Sequence, residues 1–193
     1  MNQYQIRLLS IEEMHNIYEG VAKGHFPANE RKPFEAIVRM NQTGCYEGLG
    51  LYDSKKNLVA YALYVKTLDG SARLLDYYAV LEEYRSNGVG SVFLEKMKSW
   101  YEDSPCIILE TEDIFTASNE DEKNERSRRN GFYLRNGVIE TDIHVSYFQA
   151  DYQIFYLPIR EELSKEQILA ALEKIYRVMF GEKMERIIQY REL

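Results

Sequence analysis

A short glycine-rich stretch, Arg85-Ser86-Asn87-Gly88-Val89-Gly90, separates a strand-like run from a helix-like run and constrains the fold more than any other feature of the chain. Upstream, Leu74-Leu75-Asp76-Tyr77-Tyr78-Ala79-Val80 is rich in residues that favour a buried strand. Downstream, Val89, Val92, Phe93, Lys96, Met97 and Trp100 recur at helical spacing. A strand that turns into a helix through glycines aims several backbone N–H groups at one point, and the first of them have no intrahelical acceptor. The helix dipole adds positive potential there, so the point suits an anionic phosphate. Residues 85–91 are therefore a candidate pyrophosphate cradle.

The spacing separates the phosphate-binding patterns. A P-loop needs Lys followed by Ser or Thr after its glycines, and no such pair stands here. A dinucleotide fingerprint needs a third glycine, which is missing. What remains is Arg-x-x-Gly-x-Gly, which resembles the acyl-CoA loop of the GNAT acetyltransferase superfamily: Gln or Arg, two residues, Gly, one residue, then Gly or Ala. A later segment, Gly131-Phe132-Tyr133-Leu134-Arg135-Asn136-Gly137-Val138, resembles the GNAT helix that carries Phe-Tyr-x-x-x-Gly into a strand. Arg126, Arg128 and Arg129 lead into it, and the order of elements between the two motifs also fits. The resemblance covers residues 46–148 well and the flanks by pattern.

That resemblance implies an α/β fold with a central, mostly antiparallel, splayed mixed sheet flanked by helices. It implies acetyl-CoA as co-substrate and no metal. The pantetheine arm would pair with the strand at Tyr78, Ala79 and Val80, and the pyrophosphate would meet Arg85, Ser86, Asn87, Gly88, Val89, Gly90 and Ser91. A strand N–H near Val80 would hold the oxyanion. Tyr133 would give the departing thiolate its proton; otherwise it packs the cofactor's edge. Asp76 and Glu110 are the candidates to take the amine's proton, or else satisfied structural carboxylates, with His144 a weaker option. Asp76 and Val80 share one strand face by alternation. Relatives offer an Asn where this chain has Arg126, which would reach a CoA phosphate or face solvent. The acceptor site would draw on residues 25–34, with Glu30 able to meet a cationic amine, and on residues 145–152.

Composition narrows the partners. The net charge of −7 argues against nucleic acid, which needs a basic face, and suits a cationic acceptor. No apolar stretch is long enough to cross a bilayer, and the opening residues lack a signal peptide's charged and apolar regions. Cys45 and Cys106 are too few for a disulfide framework, which fits a reduced, cytoplasmic setting. Among the sixteen tyrosines, several could line a pocket and more would serve at the edge of the core.

Along the chain, 4–9 reads as a strand. Ser10 with Glu13 forms a capping box for a helix that Gly24 closes. Pro33 suits the first turn of a helix to about Asn41. Strands at 46–52 and 58–67 flank an Asp53–Asn57 turn, and 106–110 is a further strand. Residues 113–125 read as an exposed loop entering a helix; Asn130-Gly131 is a turn signal that would end that helix at Arg129. Strands 138–147 and 152–157 are expected around an Ala150-Asp151 turn, and Ser164 with Gln167 caps a last helix. The expected organisation is one acetyltransferase domain over 1–160 and a helical extension over 161–193, packed on the domain or on the partner in a homodimer.

The reading is an N-acetyltransferase that passes an acetyl group from acetyl-CoA to a primary amine, either a small molecule or a lysine or N-terminal amine of a peptide or protein. The alternative from another class is a catalytically silent acyl-CoA-binding sensor.

Overall fold

The computed structural model describes residues 4–26 and 31–191. The chain forms two compact units, Met1–Leu68 with Leu75–Trp100, and Asp69–Leu74 with Tyr101–Leu193.

The first unit runs β1 (Gln5–Leu8), α1 (Ile11–Glu19), α2 (Ala22–His25), α3 (Phe34–Gln42), β2 (Tyr46–Tyr52), β3 (Leu58–Lys66), β4 (Arg73–Val80) and α4 (Val89–Trp100). Strand order follows chain order, β1-β2-β3-β4, and the first two pairings are antiparallel. The β2–β3 turn is fixed by Asp53, whose Oδ1 accepts from Lys55 N–H at 2.9 Å and Asn57 N–H at 2.8 Å. β3 is buried along both faces from Val59 to Val65, which is why it reads as a continuous apolar run. The capping box at α1 forms as expected: Glu13 N–H donates to Ser10 Oγ at 3.1 Å and Ser10 N–H to the Glu13 carboxylate at 2.9 Å. The helix stops earlier than expected, because the C-cap is Gly20. Gly24 lies inside the short α2, with open space around it, so it closes nothing.

The second unit holds β5 (Cys106–Glu112), α5 (Glu120–Arg135), β6 (Ile139–Tyr147), β7 (Ala150–Pro158), α6 (Lys165–Phe180), α7 (Met184–Ile187) and β8 (Gln189–Arg191). Strand order is β5-β7-β6-β8, antiparallel throughout. The β6–β7 turn falls at Phe148 and Gln149, both left-handed at φ 50° and 66°, rather than at Ala150-Asp151. Consecutive positive φ values match the twist of a tight hairpin, a preference that the residue types at 148 and 149 do not advertise. Asn130-Gly131 does not end α5, which continues to Arg135. α6 is capped by Ser164 and Gln167 and buries Ile168, Leu172, Ile175 and Tyr176. The fold class is thus as expected: mixed α/β, with eight strands in open ladders flanked by helices. Among the described residues, no helix is long and apolar enough to cross a membrane.

Candidate active site

The glycine turn lies in the first unit and is built as the sequence requires. A single 3-10 turn at Glu82–Tyr84 follows β4, and the backbone goes left-handed at Ser86 (φ 63°) and again at Gly88 (φ 74°). A Cβ at Gly88 would meet nothing within 4 Å, so the glycine answers to backbone angle and leaves open space on its outer side. The first bond of α4 is Val92 N–H to Gly88 O at 3.1 Å. The amides of Val89, Gly90 and Ser91 therefore point out of the helix mouth unbonded by the helix. Among the described residues no side chain accepts from them. Tyr78 braces the turn: its hydroxyl donates to Gly90 O at 2.7 Å and its ring stacks on Phe93 at 5.6 Å. Arg85 Nε donates to Val80 O at 3.1 Å, tying the end of β4 to the loop. Strand alternation holds as expected, with Leu75, Tyr77 and Ala79 buried and Asp76, Tyr78 and Val80 on the other face.

Asp76 sits in a network that the sequence did not disclose. One carboxylate oxygen is paired with Lys32 Nζ, and the other accepts from Tyr46 Oη at 2.7 Å. Lys32 is held at its backbone as well: its N–H donates to Tyr77 Oη at 2.7 Å, and its carbonyl accepts from Tyr18 Oη at 2.6 Å. Burial pushes the Tyr46 hydroxyl well above its ordinary range, and the neighbouring Asp76 charge adds to the shift, so this phenol stays protonated and donates. His25 stacks on Tyr61 and shares a 3.0 Å hydrogen bond with its hydroxyl; desolvation lowers its pKa, and the Arg85 charge lowers it further. Glu30 and the rest of 27–30 lie outside the described residues.

The other candidates belong to the second unit. Glu110 accepts from Tyr147 Oη at 2.8 Å and from Tyr176 Oη, the latter reaching in from α6. Tyr133 is buried, and desolvation raises its pKa to about 12, partly offset by the Arg129 charge, so the hydroxyl keeps its proton at neutral pH. Arg126 neither faces solvent nor stands free for a phosphate. It is buried, pairs with Glu112 and Glu122, and donates to the Asp113 carbonyl. The competing acids on β5 and α5 claimed it. Cys106 is fully buried, and burial raises its thiol to about 12, so it is an inert core thiol. No cluster suited to a metal ion occurs among the described residues.

The profile of the acetyltransferase (GNAT) family matches residues 11–121. The chain belongs to that family. Among solved structures, a GNAT-family acetyltransferase from Bacteroides thetaiotaomicron is similar over 92% of this chain and 98% of its own, at 17% identity and TM-score 0.70. The ribosomal-protein-S18-alanine N-acetyltransferase of Escherichia coli matches 84% of this chain and 97% of its own, at 22% identity and TM-score 0.58. A spermidine N-acetyltransferase of Vibrio cholerae, solved with CoA and spermine, matches 82% and 96%, at 14% identity and TM-score 0.59. At these identities the likeness is one of fold. No curated protein sequence matches the chain. The GNAT match ends within α5, before Tyr133, so the glycine turn falls inside it and the Phe-Tyr segment outside.

Proposed function

We propose that this GNAT protein transfers an acetyl group from acetyl-CoA to a primary amine by direct attack. The observation that carries the reading is the mouth of α4: three amides without helical acceptors, a left-handed Gly88 with open space beside it, and no side-chain cap. Those features fit a pyrophosphate bound by the amides of 86–91, with Tyr78, Ala79 and Val80 offering backbone to the pantetheine arm. Bound acetyl-CoA would supply the thioester, and a backbone N–H near Val80 would receive the developing oxyanion.

The rest is proton handling. Tyr133, protonated up to about pH 12, is suited to donate to the departing sulfur. Asp76 and Glu110 are the candidates to collect the amine's proton. The charge of −7 favours a cationic acceptor, and the neighbours' named acceptors, spermidine and a ribosomal-protein alanine, span the small-molecule and protein classes. The two free cysteines fit a reduced cytoplasmic setting.

One observation favours the silent-sensor reading. Both oxygens of Asp76 and both of Glu110 already accept hydrogen bonds within their own units, as structural carboxylates do. Turnover decides between the two. Thiol release from acetyl-CoA, followed with spermidine and with a short alanine-terminated peptide, should be amine-dependent. Tyr133→Phe should reduce kcat by tenfold or more, roughly the range of a lost general acid. Tight acetyl-CoA binding with no thiol release across an amine panel would leave the sensor.

A further inference from the structure

We propose that Lys32 is itself acetylated within its own chain, with Asp76 taking its proton; the inference rests on the acetyl transfer proposed above. The ammonium of Lys32 is paired with Asp76, one of the two carboxylates that are candidates to take an acceptor's proton. Asp76 lies on β4 just before Tyr78 and Val80, on the same strand face, along the stretch proposed to receive the pantetheine arm and the oxyanion. A primary amine is therefore already seated on a carboxylate beside the proposed path of the thioester. Two other carboxylates inside the fold hold different partners. Glu110 accepts from the hydroxyls of Tyr147 and Tyr176, and Asp113 meets His144 Nδ1 at 3.0 Å and the Arg191 guanidinium. Asp76 differs in holding the kind of nucleophile that the proposed reaction consumes.

Lys32 is placed by its backbone, independently of the ion pair. Its N–H donates to Tyr77 Oη at 2.7 Å and its carbonyl accepts from Tyr18 Oη at 2.6 Å. Tyr77 and Asp76 point to opposite faces of β4, so Lys32 meets both faces of the strand. With both peptide groups held, the side chain pivots about a fixed point. A nucleophile tethered in this way reacts without the entropic cost of a second encounter. The Lys32 side chain is 23% exposed and that of Asp76 6%, so the amine is the more reachable member of the pair.

Asp76 takes one proton from the ammonium, which frees the lone pair on Nζ. Nζ attacks the thioester carbonyl; the N–C bond forms and the C–S bond breaks. The nitrogen gives up a second proton as it becomes an amide. One of the two protons goes to the CoA thiolate and the other to water, leaving an acetylated lysine and free CoA thiol. The fold accommodates the product: Tyr46 Oη stays bonded to one Asp76 oxygen, and the new amide N–H is available to the other, so the buried carboxylate keeps its partners.

The test uses the full chain and acetyl-CoA carrying a deuterated acetyl group, with no amine added. Mass spectrometry of the tryptic peptide 32–39 should show label on Lys32 about tenfold or more faster than on Lys55 and Lys56, which are exposed and report chemical acetylation. Thiol release should stop at one equivalent per chain, and at saturating acetyl-CoA the labelling rate should not change on dilution of the protein. Lys32→Arg keeps a cation for Asp76 and should abolish that single equivalent. Asp76→Asn, its folding checked by thermal unfolding, should slow the label on Lys32 by about tenfold or more. Label on Lys32 no faster than on Lys55 and Lys56, a rate that falls on dilution, thiol release that survives Lys32→Arg, or wild-type labelling in folded Asp76→Asn would overturn the proposal. Calorimetry on the same samples separates it from the reading beneath it. Acetyl-CoA binding and amine-dependent thiol release with Lys32 unlabelled would overturn self-acetylation alone, whereas no acetyl-CoA binding would overturn both.

Discussion

Two kinds of helix mouth in this protein invite comparison. α1 and α6 open with capping boxes, Ser10 with Glu13 and Ser164 with Gln167, and α5 opens with Asn119 accepting from Glu122 N–H at 2.9 Å. α4 opens with glycines and no capping side chain among the described residues. Every helix begins with the same orphan amides, and a side-chain cap stabilises by about 1 kcal/mol. Leaving α4 uncapped forgoes that gain and keeps a point of positive potential open to solvent. α2, α3 and α7 also begin without a side-chain cap, at Val21, Pro33 and Lys183, so what sets α4 apart is the left-handed Gly88 with open space beside it, the feature on which the proposed phosphate cradle rests.

The sharpest way to break the comparison is to convert α4 to the other kind. Asn87→Asp places a carboxylate at its mouth, where the dipole favours negative charge by roughly 0.3–1 kcal/mol. Thermal unfolding should shift upward slightly, while acetyl-CoA binding weakens about tenfold because the new charge occupies the phosphate's position. Unchanged affinity would mean the phosphate does not lie there. In the opposite sense, Ser164→Ala should cost about 1 kcal/mol in chemical denaturation and leave acetyl-CoA affinity as it was. An affinity loss would show that the capped mouths are not purely structural.

The smallest effect concerns Glu13 in the α1 box. Hydrogen bonding from Arg7, then from the Ser10 amide, holds its carboxyl at about 2 against an ordinary 4.5. The folded value lies below the unfolded one, so its contribution is complete above pH 4.5 and fades as pH falls toward 2. Glu13→Gln should flatten part of the acid-side loss of stability. The change will be modest, since Arg7 and Glu13 are 50% and 36% exposed and solvent screens the pair. Acid denaturation curves of wild type and variant that superimpose would contradict the assignment.

Local signals carried much of this structure. Capping boxes, the Asp53 turn and the strand–glycine–helix passage depend on residues a few positions apart, and all three appear where the pattern puts them. Long-range partners were illegible. Nothing near Asp76 in sequence names Lys32, forty-four positions away, and nothing near Glu110 names Tyr176, sixty-six away. Arg126 misled for the same reason: a basic residue on a polar helix reads as exposed until Glu112 arrives from another element. The hairpin turn was misplaced because Phe148 and Gln149 adopt left-handed angles that Gly or Asn would have signalled. For Asp76 and Glu110 the residue types were visible, but the tyrosines that hold them were a signal only in bulk, as an unusual count.

The most direct measurement is a calorimetric titration of acetyl-CoA into wild type and Gly88→Val. A β-branched residue at φ 74° is strained by roughly 1–3 kcal/mol and pulls the turn out of shape, so binding should fall by ten- to a hundredfold. Wild-type affinity in the variant, or no binding by the wild type, would contradict the cradle on which the account stands.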